Sequence, residues 1–447
     1  MLYDVFDKIL SYFKDINFWN IISWLDTVLW DYIGIAIILF MGIYLTIYSK
    51  FFQFRVLFKL RTHIKDLLEC AEKDKKGTHP MKLYFASVGG MVGLGNIVTV
   101  VSTVTIGGPG SLIWLWIASI FGMLVKYSEV YLGIKYRVQN NQKGFDGGPM
   151  YYLKEAFNTK FLSVIMCIFL CIYGAEVSQF LILTDTISST FNINRYYVIG
   201  ILLFFILITA VKGVNRLANI CTVIMPPFMI IYVVMGLWII FDHIDTLPSV
   251  FQLILFSFLN IKSQSVGLLS GGILVAAHYG ISRAVYSGDI GIGYDSIIQS
   301  ETQTQYPEKQ ARMAIFALFT DTVICTISIL ILLVTGIWQM KGLQPSEYVI
   351  SALKMYIPNV EYFMAILFIM AGFTTITGYL VVGQKCAKYL SPTYGKFIYI
   401  IFAIFAFIFF SFYEQEQVIL IMSVSGGFLM VINMLGVFKL RKFIKFL

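Results

Sequence analysis

Residues 87–97 read SVGGMVGLGNI, so four glycines fall within seven residues of an otherwise apolar segment. Glycine costs about 1 kcal/mol relative to alanine inside a helix, and this density therefore predicts a break. Within a membrane, broken backbone is tolerated only where it lines a cavity or is buried in protein. Amides freed at such a break suit a carboxylate, while freed carbonyls and the Asn96 amide oxygen suit Na⁺. Close helix packing, which also requires glycine, is the alternative interpretation.

The composition places this segment in a membrane. Of the 447 residues, 58% are hydrophobic and 13% are charged, whereas soluble domains carry about 25% charged residues. A helical crossing needs about 20 mostly apolar residues. Eleven apolar stretches predict an all-α integral membrane protein, with spans near residues 32–50, 83–106, 111–136, 161–186, 196–212, 217–241, 265–288, 310–337, 362–386, 397–413 and 416–437.

The positive charges predict how the chain is oriented. Lysine and arginine in short loops stay on the cytoplasmic side. Nine of them fall from Lys50 to Lys82, whereas only Lys8 and Lys14 precede the first span, and every second later connection is also basic. The pattern predicts the N-terminus outside and the C-terminus in the cytoplasm. Acidic residues interleaved in the basic loop favour an amphipathic helix over a nucleic-acid-binding arm.

A second glycine-rich interruption, Ser270-Gly271-Gly272, lies about five spans after the first, in the segment that also holds His278. Paired interruptions in corresponding spans of two halves indicate an inverted-repeat transporter with its site at the membrane midplane. Residues 288–293 read GDIGIG and superficially resemble a nucleotide-binding loop. The strand and helix that would give such a loop its meaning are absent, so this interpretation is discounted.

Polar side chains inside the predicted spans are further candidates. Glu176 is a carboxyl group in the fourth span, where a charge is costly unless it has a partner or a function. Placement nearer the interface is the alternative. Thr374 and Thr375 in the ninth span offer hydroxyls on neighbouring helix faces, one of which could face a cation. Hydrogen bonding to their own backbone is the structural alternative.

Motifs along nearly the whole chain resemble those of the alanine/glycine:cation symporter family. They are GLGNI at 93–97, GGPG at 107–110, KYSEV at 126–130, GGPMYY at 147–152, RAVYS at 283–287, GIG at 291–293 and FTTI at 373–376. The resemblance implies a leucine-transporter-type core of five plus five inverted helices, with two broken helices, behind one extra N-terminal helix. It also implies Na⁺-driven uptake of small amino acids.

The breaks and the resemblance together predict the site. The predicted substrate-binding residues are Gly93, Leu94, Gly95, Asn96, Ile97, Gln179, Ser270, Gly271, Gly272, Thr375 and Tyr379. The predicted cation-binding residues, for Na⁺ alone among metals, are Gly90, Asn96, Thr374 and Thr375. No catalytic residue is predicted.

The chain departs from the family pattern at several of these positions. The family usually has threonine at Leu94, asparagine at Glu176, arginine at His278, asparagine and glutamate at residues 288–289, and tryptophan at Tyr379. The change at Tyr379 would enlarge the side-chain pocket. Glu176 and His278 are candidates for proton coupling, because each adds a group that can titrate where the family has an amide or an arginine.

The predicted function is secondary active symport of a small neutral amino acid, alanine or glycine, with Na⁺. Coupling to H⁺ and a different small amino-acid cargo are alternatives. A membrane enzyme acting on lipid would need a cluster of acid, base or metal ligands, and the four histidines at positions 63, 79, 243 and 278 are scattered. We therefore expect no enzyme and no cofactor apart from the coupling ion. The expected partners are the amino acid and the lipid bilayer, with no nucleic acid, in a monomer of the cell (inner) membrane.

The chain is expected to comprise five parts. Residues 1–50 form the extra N-terminal transmembrane helix and residues 51–82 the cytoplasmic basic loop. Residues 83–241 and 265–437 form the two inverted repeats, and residues 438–447 a basic cytoplasmic tail.

Overall fold

The computed structural model describes residues 18–71, 76–140, 144–259, 272–411 and 415–447. These residues are overwhelmingly helical. The strands described are two short ones, β1 (Val138–Gln139) and β2 (Phe145–Asp146), which pair antiparallel with Val138 opposite Asp146.

The first crossing is longer than the sequence predicts. Helix α1 (Phe18–Thr27) continues through a π-helical segment (Val28–Gly34) into α2 (Ile35–Tyr48), which makes a continuous span of 31 residues. The apolar pattern alone placed its start near residue 32, because Asp26 and Asp31 interrupt the hydrophobic run. Residues 1–17, which contain Lys8 and Lys14, lie outside the described residues.

The predicted basic loop begins with two short helices, α3 (Phe52–Phe58) and α4 (Leu60–Ala71). Helix α4 is amphipathic, since Leu67 is fully buried whereas Lys65 is exposed. Residues 72–75 lie outside the described part of the chain.

The first broken helix follows. Helix α5 (Pro80–Met91) is capped by the His79 side chain, which accepts a hydrogen bond from the Met81 N–H at 3.2 Å. Its backbone opens after Met91, forms a 3₁₀ turn and resumes as α6 (Val101–Thr105), with a bend of 55° between the two halves. The predicted break at the glycine-rich stretch is confirmed.

Seven described helices complete the first half of the chain. They are α7 (Ser111–Lys135), α8 (Pro149–Phe157), α9 (Phe161–Tyr173), α10 (Val177–Phe191), α11 (Arg195–Val211), α12 (Gly213–Asp242) and α13 (Leu247–Phe258).

The second half contains the second broken helix and the remaining spans. Its helices are α14 (Ile273–Gly288), α15 (Tyr294–Gln299), α16 (Pro307–Thr335), α17 (Pro345–Lys354), α18 (Val360–Leu390), α19 (Gly395–Phe410) and α20 (Gln415–Leu440), with 3₁₀ turns at Ile337–Gln339 and Arg441–Phe443.

The position predicted for the second break is wrong. The helix opens after α14, between Gly288 and Tyr294. Gly291 and Gly293 have φ of +82° and +94°, a left-handed conformation that glycine adopts at no steric cost and that ends a helix. Gly272 is instead the residue that precedes α14. Ser270 and Gly271 lie outside the described residues.

The five membrane elements after the first crossing recur in the same order about 200 residues later. The matching pairs are 80–105 with 273–299, 111–135 with 307–335, 161–191 with 360–390, 195–211 with 395–410, and 213–242 with 415–440. In both broken helices the longer half comes first. This order is the one that an inverted repeat requires. The boundaries at 83–241 and 265–437 remain predictions.

By length and composition, fewer described helices qualify as membrane spans than the eleven that the sequence predicts. Seven described helices are long and apolar enough to cross a membrane, and the bent pair α5–α6 makes an eighth. Three shorter apolar helices, α11, α13 and α19, fall below that length. The count of about eleven therefore stays a prediction.

Helix α7 is the centre of the packing and positions the second broken helix. It packs against α16, α14 and α2. Glycines allow the close approach, because a Cβ atom at Gly122 would collide with Ile290, and one at Gly133 would lie 2.6 Å from the Ser296 carbonyl oxygen. Small residues at helix contacts are the usual means of packing helices in a membrane.

Candidate functional site

At the first break, two backbone N–H groups donate hydrogen bonds to side-chain amide oxygens. Gly93 is extended (φ −118°, ψ −158°) and precedes the 3₁₀ turn Leu94–Asn96. The Asn96 side-chain oxygen accepts a hydrogen bond from the Gly93 N–H at 3.1 Å, and Gln179 Oε1 accepts one from the Leu94 N–H at 3.2 Å. A carboxylate oxygen could replace either amide oxygen, because N–H groups at the start of a helical segment favour negative charge.

The backbone is packed at Gly93 and open at Gly95. A Cβ atom at Gly93 would lie 2.6 Å from both Gln179 Oε1 and Thr375 Oγ1. A Cβ atom at Gly95 would meet nothing closer than Thr99 Oγ1 at 3.5 Å, which is an ordinary contact. Gly95 therefore borders free space, whereas Gly93 belongs to the packed floor beneath it.

The two threonines of α18 are bonded differently. Thr375 Oγ1 donates a hydrogen bond to the carbonyl oxygen of Gly89, in the last turn of α5, at 3.0 Å. Thr374 Oγ1 bonds its own helix, at 3.1 Å from the Met370 carbonyl oxygen and 2.9 Å from that of Ala371. Backbone bonding of this kind is the structural alternative considered for threonine. Thr375 with Gly89 is therefore the better placed pair of oxygens for a cation.

Gly90 is explained by packing. A Cβ atom at Gly90 would collide with the ring of Tyr294, whose hydroxyl donates to the Ala86 carbonyl oxygen at 3.1 Å. The glycine thus lets α5 and α15 touch. Its predicted role in cation binding remains a prediction.

Glu176 lies at a second irregularity, between α9 and α10. It has a left-handed backbone (φ 47°, ψ 42°) and its side chain is 1% exposed. Its Oε2 atom has no hydrogen-bond partner among the described residues. The carboxyl group is buried in protein beside Gln179, and its depth in the membrane stays a prediction.

Tyr379 links α18 to the second break. Its hydroxyl donates to the carboxylate of Asp289, and its ring stacks obliquely on Tyr294 at 4.5 Å. Tyr379 is 1% exposed, so it does not face open space. Asp289 also has an unpartnered oxygen, Oδ2, among the described residues.

Asn96 joins the first break to α16. Its Nδ2 atom donates to Asp321 Oδ1 at 2.5 Å and lies 3.2 Å from Cys325 Sγ. Ser287, next to the second break, donates to the other oxygen of Asp321 at 3.1 Å. A single carboxylate thus contacts residues beside both breaks.

A cavity of about 220 Å³ opens directly above Gly95. Polar side chains from five elements line it together with a few apolar ones. The lining residues are Asp26, Trp30, Gly95, Thr99, Ser102, Ser178, Gln179, Ile182, His278, Ser282, Arg283, Tyr286, Pro345, Ile419 and Ser423. Its walls include Ser102 of α6 and Pro345 at the start of α17, two helices that lead to connections the charge pattern predicts on the outer side.

Opposite charges line this cavity. Arg283 donates to Thr99 Oγ1 at 2.7 Å and to Ser102 Oγ at 3.1 Å. Within the described ranges the structure gives Arg283 no carboxylate partner, and its Nε atom is unpaired. Asp26, on the first helix, has an unpartnered Oδ1 atom there. His278 is paired with Asp31, which lies in the π-helical segment of the first crossing.

Ion pairs link α18 to the β2 strand and to the segment after α15. Lys385 on α18 lies 2.5 Å from Glu301 and 3.0 Å from Asp146, and Lys388 lies 2.9 Å from Asp146. Partial burial of Asp146 raises the pKa of its carboxyl group, but the two lysines outweigh that effect and bring the pKa to about 2. The carboxylate therefore stays charged at physiological pH, and both ion pairs with the lysines persist.

The structure brings most of the predicted residues together in one place. Gly95, Gln179 and His278 line the cavity, whereas Gly93, Leu94, Asn96, Ile97, Thr374, Thr375 and Tyr379 are buried at the breaks beneath it. Gly272 does not line the cavity; the space around it is open.

Sequence reasoning missed several residues of this region. Lys126 and Asp321 are charged residues inside apolar spans, and that position alone marks a functional candidate in a membrane. Arg283 was noted only as part of a motif. Asp26 gave no signal, because the predicted first span began after it.

The fold of this chain is similar to that in the crystal structure of MhsT in complex with L-phenylalanine. Its TM-score is 0.53 at 15% sequence identity, covering 81% of this chain and 88% of that one. The likeness shows the fold alone, and it confirms the leucine-transporter-type architecture.

Curated relatives cover most of the chain. The sodium/alanine symporter AgcS of Methanococcus maripaludis is 26% identical over 405 residues, which is 88% of each chain. The probable sodium/glutamine symporter GlnT of Bacillus subtilis is 26% identical over 434 residues, covering 95% of this chain and 88% of the relative. The model of the sodium:alanine symporter family matches residues 16–446. The chain therefore belongs to the sodium:alanine symporter family.

Proposed function

We propose that this protein takes up a small neutral amino acid, alanine or glycine, together with Na⁺. The observation that carries the proposal is the cavity above Gly95, which ends on the broken backbone and has a cationic and an anionic side chain in its walls. Such a cavity suits a zwitterion. AgcS is named for alanine and GlnT for glutamine, so likeness supports amino-acid symport without selecting the cargo.

The substrate carboxylate would bind at the N–H of Leu94 and displace Gln179 Oε1, which occupies that donor at 3.2 Å. The released Gln179 oxygen could then accept a hydrogen bond from the substrate ammonium. Na⁺ would bind below, between the Gly89 carbonyl oxygen and the hydroxyl of Thr375. Binding of both the amino acid and Na⁺ would shift the equilibrium between the outward- and inward-facing states. This shift is how the Na⁺ gradient would drive uptake of the amino acid.

Uptake into proteoliposomes tests the proposal. Purified protein should accumulate labelled alanine or glycine when an inward Na⁺ gradient is imposed at equal pH on both sides. Liposomes with equal Na⁺ on both sides measure the uncoupled rate. Accumulation of the amino acid without a Na⁺ gradient would refute this function. Failure to accumulate any small neutral amino acid under the gradient would refute it as well.

Coupling to H⁺ is the second candidate, and Glu176 favours it. The buried carboxyl group has an unpartnered oxygen, and the putative sodium/proton-dependent alanine carrier protein YrbD of B. subtilis is 26% identical to the chain. Glu176→Gln keeps the shape and removes the proton. If the coupling is real, wild-type uptake at fixed Na⁺ should vary between about pH 5 and 8 and that of the variant much less. Superimposable pH profiles would exclude a role for Glu176.

The chain is a multi-pass membrane protein, and we propose that its N-terminus lies outside the cell membrane. Asp245 and Lys59 are both exposed residues in connections that the charge pattern places on opposite sides. In a Cys70→Ser background, an impermeant maleimide added to intact cells should label Asp245→Cys and spare Lys59→Cys. Labelling of Lys59→Cys alone would reverse the orientation.

The protein is further proposed to act as a monomer, without nucleic-acid partners or a cofactor beyond the coupling ion. One copy of the chain supplies all the side chains that line the cavity described above. The mass of the detergent-solubilised protein, measured by light scattering on a preparation that retains uptake after reconstitution, tests this point.

A further inference from the structure

A lysine is buried where the two broken helices meet. Lys126 lies in the middle of α7 and is 0% exposed. Its ammonium group donates to the Gly288 carbonyl oxygen at 2.6 Å, lies 2.8 Å from Met91 Sδ and pairs with Asp295 at 2.8 Å. Met91 and Gly288 are the last residues of α5 and α14. One side chain therefore touches the end of each long half-helix.

These contacts place positive charge where the backbone is negative. The last carbonyl groups of a helix lack intrahelical partners and carry partial negative charge. The Gly288 carbonyl is one such group, and the ammonium satisfies it directly. Asp295 in the first turn of α15 adds a full negative charge. In an inverted-repeat transporter, half-helix ends of this kind are places where a cation is bound.

The pair of Lys126 and Asp295 is also connected by hydrogen bonds to α5 and to the rest of α15. Asp295 accepts a hydrogen bond from Ser87 of α5 at 2.5 Å, and Ser87 accepts one from Gln299 of α15 at 3.2 Å. Lys126 thus belongs to a buried network that joins four elements, α5, α7, α14 and α15. A structural ion pair would require only Asp295, and it leaves the Gly288 and Met91 contacts unexplained.

We propose that Lys126 is a tethered cation that occupies the crossing of the two breaks and fixes both half-helix ends in the binding-competent arrangement. It is a positioning residue, which does not touch the amino acid. The coupling Na⁺ then binds on the α18 side, because the crossing is already filled by the ammonium. This inference rests on the proposed symport.

Lys126→Met tests the charge at nearly constant volume. Uptake should fall by at least about tenfold, because Asp295 would stay buried without the positive charge that compensates it. The matched control is Lys135→Met on the same helix, whose lysine is exposed and contacts the Phe443 carbonyl oxygen at 3.2 Å. Its uptake should stay near that of the wild type. Uptake by Lys126→Met within a factor of two of the control would overturn the proposal.

The double variant Lys126→Met/Asp295→Asn separates positioning from simple charge balance. Neutralising both partners removes the uncompensated buried charge, so the protein should fold even if the single variant does not. A purely structural ion pair predicts recovery of uptake. The positioning role predicts a folded protein that remains at least about tenfold slower than the wild type. Recovery to wild-type rates refutes it.

Ligand rescue gives a measurement that needs no transport. Lys126→Ala lacks the three terminal carbon atoms and the ammonium group of the lysine, and propylammonium carries both. Propylammonium should raise the melting temperature of this variant by several degrees, whereas 1-propanol should not, since a ligand that binds the native state stabilises it. The wild type should not respond. Equal effects of the two compounds would overturn the proposal. A wild type that transports no amino acid but shows this rescue contradicts the proposed function alone.

Discussion

Uptake by the Gly95→Leu variant is expected to fall to the background of protein-free liposomes while the protein stays folded. Gly95 borders the cavity, and a Cβ atom there would make only ordinary contacts, the nearest with Thr99 Oγ1 at 3.5 Å. The leucine side chain therefore fits the empty protein and fills the space above the break. Loss of uptake at an unchanged melting temperature is the result to look for.

Two further variants isolate the cause. Gly200 of α11 has no atom within 4 Å of a built Cβ, so Gly200→Leu adds the same side chain in open space and should leave uptake unchanged. Gly93→Ala should lower the melting temperature, because its Cβ atom would lie 2.6 Å from two oxygens. Normal uptake by Gly95→Leu would place the substrate elsewhere.

The first break could be located from the sequence because four glycines within seven residues of an apolar span strongly disfavour a continuous helix. The second was misplaced because glycine serves two purposes that look alike in a sequence. Gly291 and Gly293 have positive φ and open the backbone, whereas Gly122 and Gly133 on α7 only allow close packing. A single sequence does not reveal which purpose a glycine serves.

The polar partners were harder still to predict. Lys126 pairs with Asp295, and Asn96 with Asp321, from different halves of the chain, so nothing local in the sequence links them. The inverted repeat brings them together. The family resemblance correctly indicated a transporter rather than an enzyme, and the family and its relatives confirm that prediction.

The two neighbouring threonines of α18 are expected to differ in their effect on Na⁺ binding. Thr375→Val removes the hydroxyl that bonds the Gly89 carbonyl oxygen of α5, at 3.0 Å, and keeps nearly the same shape. The Na⁺ concentration for half-maximal uptake should rise about 10- to 100-fold, because an interaction with a charged group contributes about 1.5–3 kcal/mol. The alanine KM at saturating Na⁺ should change much less. Both constants come from uptake measured over a grid of Na⁺ and alanine concentrations.

Thr374→Val is the matched control, because it makes the same substitution one residue earlier on an equally buried side chain. The Thr374 hydroxyl is bonded to the Met370 and Ala371 carbonyl oxygens of its own helix, so its loss leaves the contact between α5 and α18 intact. Its Na⁺ dependence should shift less than that of Thr375→Val. Equal shifts would mean that Na⁺ draws both hydroxyls away from their present partners. No shift in either variant would place the coupling ion outside the contact between the first break and α18.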